Sequence, residues 1–116
     1  MGTSSILLLV CFAPLLCPAQ VGTLDPSFSG DGLISTDIGA STFDKAAAVT
    51  VQEDGRIVVA GTSGYDKAYD FGVTRYLPDG TPDPDFSFNG EVFTSVVPGN
   101  DQATTVAIQD DGKIIV

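Results

Sequence analysis

The chain has 116 residues with 15 acidic and 5 basic side chains, no His, no Trp and two Cys, for a formal charge of −10. That length allows one small domain at most, and without a Lys/Arg cluster phosphate backbones and anionic membranes are poor partners. The lack of His removes Ser-His and Cys-His nucleophiles and His-ligated metals.

In chain order, residues 1–19 read first, as a secretory signal peptide. Ile6–Cys17 is a run of twelve residues, apolar except for Pro14, and Cys17-Pro18-Ala19 places small residues before a cut after Ala19. A proline-interrupted run of that length falls short of the roughly 20 residues that cross a bilayer. Leu16 directly before Cys17 disfavours a lipid anchor. Both cysteines, Cys11 and Cys17, leave with the signal, so the mature chain has no disulfide although it is bound for a compartment where disulfides persist. The expected destination is secreted or at the cell surface, with no membrane insertion after signal removal.

Residues 20–116 form a repeat. Gly22–Gly32 aligns with Gly80–Gly90 at an offset of 58, with seven of eleven positions identical. Asp44–Val59 aligns with Asp101–Val116 at an offset of 57, with eight of sixteen identical. Each unit carries four strand signals. The first is Ala46–Gln52, with β-branched Val49, Thr50 and Val51. Asp54-Gly55 turns the chain, and Arg56–Ala60 follows as an almost continuous apolar run, the mark of a strand covered on both faces. Gly61-Thr62-Ser63-Gly64 is expected to end it. Tyr65–Asp70 reads as a polar, aromatic loop, Phe71–Leu77 as the third strand, and Pro78-Asp79-Gly80 as a turn. Thr81–Asn89 connects to a fourth strand, Gly90–Val97. No segment of the mature chain has a helical apolar period with caps, so no helix is expected there.

Four short antiparallel strands in about 57 residues, repeated, predict an all-β fold: tandem four-stranded blades of a partial β-propeller. In the first strand Ala47, Val49 and Val51 alternate with Ala46, Ala48 and Thr50, which makes one face larger than the other and lets neighbouring blades interleave. At about 25 cal/mol per Å² of apolar burial against roughly 1.5 kcal/mol of ordering cost per residue, a single open blade is marginal. Stacked repeats are needed to cover both faces.

The motifs V-x-[VI]-Q-x-D-G-[RK]-I-[VI]-V (twice), R-Y-x-P-D-G (once) and D-P-x-F-S (twice) resemble the delta-60 repeat family, propeller-forming repeats of exported bacterial proteins. The resemblance covers nearly all of residues 22–116 and implies architecture and export, with no defined chemistry. By analogy with other propeller repeats, 22–39 holds the outer strand of a preceding blade, 46–97 is a complete blade, and 103–116 starts the next. A ring takes about 4–8 blades, and Lys113–Val116 lies inside a strand. The chain is therefore expected to be a fragment or truncated reading frame of a longer repeat protein, an incomplete ring; self-assembly of short chains is the alternative.

Acidic residues are the only candidates for chemistry. Asp83, Asp85 and Asn89 offer hard oxygen ligands of the kind Ca²⁺ takes, but their spacing misses the EF-hand loop. The favoured reading is turn chemistry, with Asp side chains bonding local backbone. No catalytic, cofactor-binding or metal residue is assigned, and no cofactor. Phe28 and Phe86 read as core plugs between blades. Tyr65, Tyr69 and Tyr76 read as ordinary loop and edge aromatics over sugar-stacking platforms. Arg75 and Lys113 read as isolated, solvated bases. The function expected is a non-enzymatic exported repeat protein that presents loops to an unknown protein or glycan ligand. The alternatives are a calcium-dependent propeller hydrolase or lactonase whose site lies in further blades, and a structural spacer. Partners besides the ligand are neighbouring blades of the same longer chain, or self-association.

Overall fold

The computed structural model describes residues 22–38, 43–65 and 68–116; the signal-peptide assignment of 1–19 lies outside the described residues. Strands β1 (Phe43–Val51), β2 (Ile57–Tyr65), β3 (Ala68–Tyr76) and β4 (Glu91–Thr94) form an open antiparallel sheet in the order β1-β2-β3-β4. β5 (Ala107–Ile108) and β6 (Ile114–Ile115) form a separate antiparallel pair. Among the described residues there is no helix.

The Asp-Gly hairpin forms as its residues dictate. Gly55 takes φ +84°, the left-handed region that a Cβ disfavours, and the Gln52 N–H donates to the Arg56 carbonyl at 2.8 Å. The second copy repeats it, with Gly112 at φ +81° and the Gln109 N–H on the Lys113 carbonyl at 2.8 Å. Pairing repeats too. Thr50 faces Val58 and Val51 faces Ile57 in the first copy; Ala107 faces Ile115 and Ile108 faces Ile114 in the second. These are the same pairs shifted by 57 positions.

The strands depart from expectation at Gly61–Gly64, which continue β2 rather than end it, so the expected Tyr65–Asp70 loop is mostly strand. The glycines there allow close approach. A Cβ on Gly61 would strike the Lys45 carbonyl oxygen, because β1 bulges opposite it. The bulge leaves Ala47 without a partner between Ala46↔Gly61 and Ala48↔Ala60. It thereby corrects the simple alternation: Ala46, not Ala47, shares a sheet face with Val49 and Val51. The fourth strand is shorter than expected, Glu91–Thr94.

Both faces of the sheet meet another segment. On one, Val58, Ala60 and Val73 are buried with Ala103, and Phe71, Phe86, Val106, Ile108 and Ile114 pack around them. Fully burying a valine such as Val58 contributes about 1.5–3 kcal/mol. On the other, residues 34–38 lie along Val59, Gly61, Thr74 and Tyr76. The Tyr76 hydroxyl shares a 2.7 Å hydrogen bond with that of Thr36, and the Ser63 hydroxyl donates to the Ile38 carbonyl at 3.2 Å. The continuous apolar run of β2 has its cause here, since a strand enclosed on both faces has no use for alternation.

Candidate functional site

Aspartates build the turns of this molecule. Asp25, Asp31, Asp54, Asp79, Asp83 and Asp111 each accept, on Oδ1, the backbone N–H two residues further on, at 2.9–3.2 Å. This short local bond fixes the chain direction without help from distant residues. Much of the acidic excess is thus turn hardware, as the sequence reading favoured.

One of the six does more. Asp83 is fully buried, and its Oδ2 accepts from Arg56 Nε at 2.9 Å and Arg75 Nε at 2.7 Å. The backbone clamps the same turn to the end of β3: the Asp83 N–H donates to the Arg75 carbonyl at 2.9 Å and the Arg75 N–H to the Gly90 carbonyl at 2.8 Å. The Arg75 guanidinium also lies over the Phe86 ring, 4.6 Å from its centroid. Arg56 is shared with Asp54, a second ion pair. Burial pushes the Asp83 carboxyl upward, but the Asp85 N–H and the Arg75 and Arg56 guanidiniums outweigh it and hold the group below the ordinary carboxylate range. A carboxylate so enclosed and kept ionised is poorly placed to take up a proton from a substrate. It ties β2, β3 and the Asp83 turn together.

The fold also places the other residues that the sequence singled out. Arg75 is not an isolated solvated base; the fold brings Asp83 to it. Lys113 is exposed but pairs with Asp111. Asp83 is turned to two guanidiniums and Asn89 donates to Glu91 at 3.1 Å, so Asp83, Asp85 and Asn89 do not converge as a ligand set. Among the described residues no group of three or more acidic side chains is placed to hold a metal ion. Tyr76 is buried and Tyr69 tilts against Phe43 at 5.2 Å, while the Tyr65 side chain lies outside the described residues. Phe86 packs at the seam with β6, and Phe28 lies against Gly80, whose lack of a Cβ admits the ring. The Arg56–Asp83–Arg75 cluster escaped sequence reasoning. A signal existed, because a basic residue recurs at Arg56 and Lys113 directly after the Asp-Gly turn.

The two Asp-Gly hairpins stand side by side. Gln52, Glu53 and Asp54 of one and Gln109, Asp110 and Asp111 of the other line a common cleft of about 600 Å³.

Meander order, face-to-face packing of successive units and turns repeated in register define a repeat of the β-propeller type. Residues 52–86, from the first Asp-Gly hairpin to Phe86, match the family model described as a domain of unknown function (DUF5122) beta-propeller. No curated protein and no solved structure matches the chain.

Proposed function

We propose that the chain is an exported repeat protein of the delta-60 kind, part of a longer β-propeller, that acts outside the cell or on its surface by presenting turns to a protein or glycan partner, without catalysis. The observation that carries this reading is the paired hairpin. Two turns of the same conformation, 57 residues apart in sequence, stand beside one another and share one open cleft. Loops held this way on a sheet scaffold form a rigid, repeated surface on which a ligand loses little entropy. Glu53 and Asp110, exposed at the tips, set its acidic character and favour a ligand with cationic or hydroxyl donors.

Protein and glycan arrays probed with the purified chain test the reading. Enrichment of a partner, lost when Glu53 and Asp110 are both changed to Lys, is the expected result. No enrichment on either array overturns it. Export has its own test: the product recovered outside the cell begins at Gln20, whereas a cytosolic product that retains residues 1–19 contradicts it.

A further inference from the structure

The turn from Asp83 to Gly90 repeats the turn from Asp25 to Gly32 but carries different side chains. The residues that shape it recur in both copies, from the Asp-Pro start through Phe86 and Ser87 to Gly90. The positions that differ within it are Ser27/Asp85, Gly30/Phe88 and Asp31/Asn89, and all three are exposed in both copies. Phe88 is the extreme case, an aromatic residue 95% exposed. The turn closes equally well around Gly30, so folding does not ask for a ring at this place.

A neighbouring blade does not cover this position. The first copy has the following sheet in place: the Ser29 N–H donates to the Asp79 carbonyl at 2.7 Å, and Phe28 lies against Gly80. Position 30 stays clear of that sheet, since a Cβ on Gly30 would meet nothing within 4 Å. A blade docked on the Asp83 turn in the same way leaves Phe88 in solvent. The meander puts this turn at the same end of the sheet as the Asp-Gly hairpin, and the Arg56–Asp83 bond ties the two together at 2.9 Å.

We propose that Phe88, with the carboxylates of Asp85 and Glu91 three positions to either side, is a docking point for an arginine side chain of a partner protein. The proposal names the partner class for the turn-presenting function and rests on that reading. The same chemistry occurs once inside the molecule, where the Arg75 guanidinium lies over the Phe86 ring at 4.6 Å and bonds the Asp83 carboxylate at 2.7 Å. A planar guanidinium stacks on a ring face and still turns N–H groups to a carboxylate, which a compact ammonium does less well. Residues 81–94 hold no Lys or Arg of their own, and Asn89 holds Glu91 by donating to its Oε2 at 3.1 Å. The formal charge of −10 draws a cationic segment and repels an anionic glycan. A neutral glycan would stack on the ring but gain nothing from that charge.

Titration of the purified, isotope-labelled chain with short Gly/Ser peptides bearing arginine, lysine or glutamine at the same positions tests this, with backbone amide shifts as the readout. The arginine peptide is expected to give saturable shifts at Asp85, Phe88, Asn89 and Glu91, to bind more tightly than the lysine peptide, and to weaken with added salt. The glutamine peptide gives no shifts. Phe88→Ser weakens the arginine peptide about fivefold and Phe88→Tyr restores it. Asp85→Asn with Glu91→Gln also weakens it and flattens the salt dependence. Far-UV circular dichroism checks that each variant keeps the parent sheet. Unmoved amides, equal binding of the glutamine peptide, or a neutral oligosaccharide such as cellotriose that shifts these amides when the arginine peptide does not, overturns the proposal. A protein-array partner that needs Glu53 and Asp110 but binds the Phe88→Ser variant unchanged overturns it too, while leaving the turn-presenting function standing.

Discussion

The Asp25 and Asp83 turns have nearly the same backbone and very different surroundings. Phe28 and Phe86 donate to the Asp25 and Asp83 carbonyls at 3.0 and 3.1 Å, and Gly32 and Gly90 to the Phe28 and Phe86 carbonyls at 2.7 and 2.9 Å. Ser29 and Ser87 both take the left-handed region, at φ 53° and 56°. Yet Asp25 is exposed and bonds Ser27 alone, through hydroxyl and N–H, whereas Asp83 is buried between two arginines. Local chemistry suffices to shape the turn. The neighbouring strands determine whether it also locks a sheet.

The largest difference is expected from Asp83→Ala against Asp25→Ala. The first leaves Arg56 and Arg75 facing a buried site without their common anion, and losing one partner of a buried pair is strongly destabilising. The second removes a solvated local bond. Urea denaturation of the two variants checks the ranking; equal midpoints would mean that the Asp83 cluster does not hold the sheet.

The acid limb comes next. The Asp83 carboxyl lies below its unfolded value, which is about 3.9. Its contribution is therefore fully present above that value and lost as pH falls through the lower, folded one. Asp25, lowered by the Ser27 hydroxyl and then its N–H, acts in the same direction. Stability is expected to stay level from pH 7 to about pH 5 and to fall below about pH 4, with a shallower fall in Asp83→Ala than in Asp25→Ala. Urea midpoints measured across that range report it.

Smaller effects come from the shared turn. Gly32→Ala and Gly90→Ala both place a Cβ at φ near +85° (83° and 87°), at a cost of about 1–2 kcal/mol each, and Gly32→Ala costs more because its Cβ would also fall 2.6 Å from the Leu24 Cβ, whereas on Gly90 the nearest atom is the Arg75 carbonyl oxygen at 3.1 Å. Amide exchange at positions 32 and 90 should accelerate about tenfold in each variant. Ser29→Gly and Ser87→Gly are the mildest, each within about 1 kcal/mol of the parent by the same exchange measurement, since relief at positive φ offsets the entropy of a freer unfolded chain. Unequal effects of Ser29→Gly and Ser87→Gly would mean that tertiary contacts, not the turn itself, set these dihedrals.

How far the sequence could be read depended on the range of the interaction. The meander, the Asp-Gly hairpins, the Asp-x turns and the enclosed strand around Val58 were legible, because each rests on residues within one hairpin or on a short apolar pattern. Gly61–Gly64 misled, because a run of Gly, Thr and Ser signals a break locally but here admits the β1 bulge. Arg75 misled for a similar reason: its partner Asp83 lies across a turn, and Arg56 lies 27 positions from that same carboxylate.

From its order of residues alone, this chain dictates turns, strand succession and a repeat whose oily faces need company, since those properties arise from dihedral preferences and bonds two to four residues long. Which carboxylate becomes a buried lock and which alanine joins the Val49 face past the bulge were settled by folding, because each needs strands far apart in sequence to arrive at one place.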